Sequence, residues 1–203
     1  WVLMEFMAPL GMVVWYVVSD VSMGIPTLFL GLWLLHYLHR TFVYAWVRRD
    51  RGKPIPLGIV LSAFFFNVTN TYLIGRWLFD IQPIVDSGWL WTPQFLGGLA
   101  LFLVGFGINL HSDHVLFHLR KPGETGYKIP TGGLYRWVSC PNYLGEMIEW
   151  TGWALMTASG AGAAFAIWTA ANLAPRAITH HRWYQNKFSD YPTQRKALIP
   201  WIV

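Results

Sequence analysis

The sequence predicts an all-α, polytopic membrane helix bundle, and three observations carry that prediction. Hydrophobic residues make up 54% of the chain and charged residues only 12%, about half the charged share of a soluble domain. Thirteen tryptophans suit a protein with many side chains at a lipid–water boundary. Six apolar segments, about 1–18, 26–47, 57–79, 94–110, 141–158 and 159–175, reach or approach the roughly 20 residues that a bilayer crossing needs.

The loops sort by charge. Arg48, Arg49, Arg51 and Lys53 follow the second segment, Arg120, Lys121 and Lys128 follow the fourth, and the tail holds Arg176, Arg182, Lys187, Arg195 and Lys196. The alternate loops carry acids, Asp20 and then Asp80 and Asp86. Basic residues mark the cytoplasmic side, so six successive crossings place those loops and the C-terminus in the cytoplasm. The positive charge is therefore explained by topology rather than by nucleic acid. A lone cysteine, Cys140, leaves no internal disulfide and no cysteine metal cluster. No repeat or domain boundary divides residues 1–203, which read as one integral-membrane domain. The first segment opens inside an apolar run at Trp1, and a further helix is expected upstream.

Ionisable groups inside spans cost about 2.5–3.5 kcal/mol each on insertion scales, so each needs a partner. In the first segment that group is Glu5, which either meets water at an interface or faces the bundle interior. The second segment stacks His36, Arg40 and Tyr44 in one row, with Tyr37 and Thr41 beside them. Headgroup contact explains His39 and Arg40. Tyr37 lies about three turns inside Arg49, where its O–H could polarise a carbonyl oxygen.

At the end of the fourth segment Asn109 and Asp113 are spaced i, i+4. The loop from Arg120 through Pro122-Gly123 to Tyr127 and Lys128 suits either phosphate or anionic lipid. Gly132 and Gly133 then open a turn, and Pro141 fits a first helical position, where a missing N–H costs nothing. From there Asn142, Glu146 and Glu149 share one helix face, pointing to a polar cavity or to water at an interface. The tail repeats an i, i+4, i+8 row with Arg176, His180 and Tyr184. Adjacent His180 and His181 point to different faces, with no third ligand suitably spaced, so no metal site is expected. Walker, dinucleotide-glycine and nucleophile-elbow motifs are absent from the sequence.

Several stretches together resemble steroid 5α-reductases. They are His36–Tyr44, Gly107–Asp113, Leu119–Glu124, Gly132–Trp150, His180–Tyr184 and Tyr191–Pro200. The resemblance is read as that of a bacterial homologue, with the bacterial inner membrane or the endoplasmic reticulum as its location. It implies a seven-helix enzyme, six spans of which lie in this chain. It implies NADPH as cofactor, a steroid as substrate, membrane lipid around it and no obligatory protein partner. By similarity Glu5 and Tyr37 hold the substrate's 3-keto oxygen, and Trp1 lines the steroid cavity. Asn109, Asp113, Arg120, Tyr127, Lys128, Asn142, Glu146, His180, Tyr184 and Arg195 match cofactor-contacting positions. Met4 departs from the glutamine of the mammalian enzymes, and Arg48–Lys53 is longer and more basic than the family's loop.

The implied reaction is reduction of the Δ4 bond of a 3-oxo-Δ4 steroid, with hydride to C5 and a proton to C4. Conjugation lets the arriving charge move onto the ketone oxygen, where Tyr37, and Glu5 in its neutral form, could donate. The alternatives are a reductase of another lipid enone or an enoyl thioester, methyl transfer, and a non-catalytic sterol-binding protein. Methyl transfer needs no group on a ketone. Sterol binding alone leaves the Asn142/Glu146 face without a purpose.

Overall fold

The computed structural model describes residues 1–47, 55–120, 124 and 126–202. The basic loop Arg48–Lys53 and the Lys121–Gly123 turn singled out above lie outside them. The described residues are helical throughout, apart from loops and one isolated parallel bridge between Val138 and Lys196. In order they form α1 (Val2–Glu5), α2 (Met7–Val18), α3 (Ile25–Leu38), α4 (Tyr44–Val47), α5 (Leu57–Arg76), α6 (Pro93–His118), α7 (Pro141–Thr157) and α8 (Gly160–Lys187). A π-helical turn, His39–Val43, joins α3 to α4, and another, Trp77–Ile81, continues α5. Prolines stand where an N–H is dispensable, at the start of α3, α6 and α7. Two helices, Leu57–Ile81 and Pro93–His118, are long and apolar enough to cross a membrane.

Three boundaries differ from the sequence expectation. The first segment is two helices, interrupted at Phe6. The fourth does not end near residue 110 but continues to His118, so Asn109 and Asp113 sit within a helix. The sixth continues from the expected 175 to Lys187, carrying His180 and Tyr184 on α8. Hydropathy falls at Asn109 and at Arg176, but polar side chains do not stop a helix whose backbone bonds continue.

The chain divides into two compact units, residues 1–96 with 157–162, and residues 97–156 with 163–203. The first packs α2 against α5 and α3 around the fully buried Met12, Phe29, Trp33 and Ile74. Its outer surface keeps large apolar groups, among them Phe65 and Leu73 on α5. The second is built on α6 and α7, whose backbones touch where side chains are absent. A Cβ added at Gly145 would lie 2.7 Å from both the Asn109 nitrogen and the Gly105 oxygen, and one at Gly152 2.5 Å from the Gly98 oxygen. Small residues at such intervals let membrane helices approach closely. Around that seam Phe102, Tyr135, Trp150, Trp153 and Met156 fill the core.

Gly145→Ala should therefore force α6 and α7 apart, because backbone cannot rotate away as a side chain can. The expected cost is about 1–3 kcal/mol, the usual range for overpacking, read as a lowered Tm in detergent. Gly97→Ala, with nothing within 4 Å of the new Cβ, is the control and should not lower Tm.

Candidate functional site

In the first unit, Glu5 ends α1, the single turn before the break at Phe6. Tyr37 lies near the end of α3 and is only 5% exposed. The i, i+4 spacing puts Trp33 on the same face, and the Trp33 and Tyr37 ring centres are 4.6 Å apart. His36 meets Tyr37 edge-on at 4.9 Å. Two aromatic neighbours thus fix the phenol ring. Trp33, itself fully buried, donates from Nε1 to the Ala8 oxygen at 3.1 Å. Trp1 donates from Nε1 to the Arg40 oxygen at 3.2 Å, and its ring lies 5.2 Å from that of Tyr44. The Arg40 guanidinium lies 5.3 Å and 4.6 Å from those two ring centres. Trp1, Arg40 and Tyr44 form one cation–aromatic group, which joins two members of the His36, Arg40 and Tyr44 row to the first segment.

Sequence reasoning missed Asn67. This α5 residue is 6% exposed, and its Nδ2 donates to the Met4 oxygen at 2.7 Å. Met4 is buried as well. The available signal was Asn67, Asn70 and Thr71 sharing one face of an otherwise apolar span, at i, i+3 and i+4.

In the second unit, Asn109 on α6 donates from Nδ2 to the Asn142 oxygen at 3.1 Å, joining two expected residues directly. Asn109 and Asp113 are both buried. Asp113 lies close enough to Tyr135 for its charge to add to the upward shift that burial imposes on the phenol. Tyr184 is pushed up to about 12 by burial, then by Cys140 and Tyr191, and is opposed by Arg195. Mutual charge effects link Asp113, Cys140 and Tyr184 to Tyr135, and Cys140 and Arg195 to Tyr184. Glu149, on the expected face of α7, is fully buried, and Glu146 is half-buried.

Arg195 carries the strongest indication of a ligand. It is 4% exposed. Nη1 donates to the Pro130 oxygen at 3.2 Å and to the Tyr191 hydroxyl at 3.5 Å, and the guanidinium lies 5.0 Å from the Tyr191 ring centre. Its Nε meets no hydrogen-bond partner among the described residues. A buried guanidinium with an unspent donor fits an anionic group such as a phosphate.

Four expected residues are placed more loosely. Tyr127 is 63% exposed and packs edge-on against Trp183 at 4.7 Å. Arg120 donates to the Gly126 oxygen at 3.3 Å, and Lys128 pairs with Glu124 at the surface. His180 lies 6.0 Å from the Tyr143 ring, and burial, then Arg176, lowers its pKa below the usual histidine value. The lowering favours the neutral imidazole.

A polar hub that the sequence reading did not single out holds the tail in place. Ser139, just before α7, meets His181 Nδ1 and the Tyr191 hydroxyl, each at 2.6 Å, and donates to the Lys196 oxygen at 3.1 Å. Backbone bonds run beside it, from Ser139 N to Lys196 O and from Lys196 N to Trp137 O, each at 2.8 Å. Tyr191 stacks on Tyr184 at 5.4 Å and 14°. The hub thereby ties the tail that carries Tyr184 and Arg195 to the stretch before α7, far away in sequence. Burial pushes the nearby Cys140 thiol up to about 12, which leaves it unreactive.

Two open grooves avoid these residues. One of about 410 Å³ lies between α2 and α5 and is lined mainly by apolar groups such as Met7, Leu10 and Val68. One of about 600 Å³ in the second unit runs along Val104, Ile108 and His111 of α6, a different face from Asn109 and Asp113.

Residues 53–203 match the family model described as 3-oxo-5-alpha-steroid 4-dehydrogenase. The Bos taurus 3-oxo-5-alpha-steroid 4-dehydrogenase 1 is 51% identical over 174 residues, 86% of this chain and 67% of the relative. The Homo sapiens 3-oxo-5-alpha-steroid 4-dehydrogenase 2 is 48% identical over 176 residues, 87% of this chain and 68% of the relative. The Solanum lycopersicum steroid 5-alpha-reductase DET2 is 46% identical over 178 residues, 86% of this chain and 68% of the relative. The chain spans about two thirds of the length of these relatives.

Proposed function

Because the chain belongs to the 3-oxo-5-alpha-steroid 4-dehydrogenase family, we propose that it reduces the Δ4 bond of a 3-oxo-Δ4 steroid to the 5α-dihydro product, using NADPH. The observation that carries this reading is the buried Tyr37 phenol, held between Trp33 and His36 in the same compact unit as Glu5.

Tyr37 and Glu5 hold the 3-keto oxygen. An isolated C=C accepts hydride poorly, but conjugation to the ketone lets negative charge develop on that oxygen. A donor fixed at the oxygen stabilises the enolate-like transition state more than the ground state, which raises the rate rather than only the affinity. Trp1 lines the steroid cavity. When bound, NADPH would supply hydride for C5, and a proton would be added at C4. Asn109, Asp113, Asn142, Glu146, Tyr184 and Arg195 would hold the cofactor, with Arg120, Tyr127, Lys128 and His180 beside them. Arg195 supplies the buried cation for a phosphate, and the carboxylates and amides suit ribose hydroxyls and a carboxamide.

A Glu5 series tests this reading. Glu5→Gln keeps a donor and should retain more turnover than Glu5→Ala, which leaves the ketone without it. NADPH affinity should change in neither. Full turnover in Glu5→Ala would contradict the assignment.

The chain further reads as six membrane crossings with a cytoplasmic C-terminus, supported by the alternation of basic and acidic loops. With Cys140 replaced by alanine, a cysteine at Asp86 should label with an impermeant thiol reagent added outside intact cells. One at Lys187 should label only after permeabilisation. External labelling at Lys187 would reverse the orientation.

A further inference from the structure

We infer that Asn67 is a positioning residue for Glu5: its side-chain amide fixes the one helical turn that carries the carboxyl. The inference rests on the reading of Glu5 given above. α1 is a single turn, and the helix is interrupted at Phe6 before α2 begins. Pro9 lies four residues after Glu5 and has no N–H, so the helical ladder cannot close on the Glu5 carbonyl through it. Trp1, at the start of the turn, provides no side-chain cap. Phe6 keeps helical dihedrals and carries the ladder on, Phe6 N to the Val2 oxygen at 2.8 Å and Leu10 N to the Phe6 oxygen at 3.2 Å, so the joint lacks only the bond that Pro9 cannot make.

An interrupted helix in apolar surroundings needs its loosened backbone groups met by neighbouring helices. Asn67 anchors the turn at the Met4 carbonyl, next to that gap, across 63 residues of sequence and at 2.7 Å. Both residues are buried, so water cannot replace the bond. Met4 directly precedes Glu5, and a shift of its peptide swings the Glu5 side chain. Trp33 grips the neighbouring turn through the Ala8 oxygen and packs on Tyr37. Losing Asn67 therefore releases Glu5 while Tyr37 stays held.

The test is a double-mutant cycle on the full chain in lipid nanodiscs, with testosterone as the probe substrate and Glu5→Ala as the second change. Asn67→Leu, similar in shape and without a donor, should lower turnover by about ten- to a hundredfold, the scale on which misplaced groups lose rate. NADPH binding, measured by fluorescence, should be unchanged. In the Glu5→Ala background the same substitution should cost almost nothing further, because the group it positions is gone. Equal losses in both backgrounds would show a merely structural role and overturn the inference. Full turnover in Glu5→Ala would instead overturn the reading of Glu5, and the inference with it. If Asn67→Leu does not accumulate, Asn67→Ser, whose hydroxyl is too short to span to Met4, takes its place in the cycle.

Discussion

Tyr37→Phe should bind NADPH normally and lose two to three orders of magnitude in turnover of a 3-oxo-Δ4 steroid. The substitution keeps the ring, its 4.6 Å contact with Trp33 and its edge-on contact with His36, and removes only the O–H. Removing one oxyanion donor costs about 3–4 kcal/mol in comparable sites. The loss should fall on kcat, because the hydroxyl binds the developing charge more strongly than the neutral ketone. If Tyr37 were only an anchor in the bundle, the ring would suffice and turnover would stay near wild type. Thermal unfolding separates the two cases: Tyr37→Phe should keep its Tm, since packing is unchanged.

Arg195→Gln should raise the NADPH Kd by about ten- to a hundredfold, equivalent to the 1.5–3 kcal/mol of one charge-assisted hydrogen bond. The steroid KM should change little. Burial is the reason for the size of the effect: at 4% exposure, with Nε unspent, Arg195 meets an anion without competition from water. Lys128→Gln should do far less, because Lys128 is exposed and already pairs with Glu124. Arg195→Lys should recover only part of the affinity, since an ammonium cannot reproduce the planar fork that reaches the Pro130 oxygen and a ligand together. Equal effects at Arg195 and Lys128 would argue against Arg195 as the buried phosphate cation.

The all-α class, the order of the main helices and the proline start of α7 were legible in composition and local spacing. Asn109 and Asn142 were each singled out, but not the hydrogen bond between them, which joins helices 33 residues apart in sequence. The helix break at Phe6 was not legible. Pro9 sits inside a uniformly apolar run, and the Asn67 bond that compensates lies 63 residues away. The ends of α6 and α8 were misplaced because hydropathy reports where lipid contact stops, and the helices continue through polar residues to His118 and Lys187. The Ser139 hub escaped for a related reason. Its partners, His181, Tyr191 and Lys196, lie more than a helix length away in sequence, and no local period links them.

The central claim is reduction of a steroid enone with NADPH, and one incubation tests it most directly. Purified chain in lipid nanodiscs is given testosterone and NADPH, and the steroid is analysed by mass and chromatography while NADPH absorbance is followed. The account predicts one NADPH oxidised for each steroid saturated at the C4–C5 bond, with 5α configuration and an intact 3-keto group. A protein that binds testosterone and NADPH but returns the steroid unchanged would contradict it.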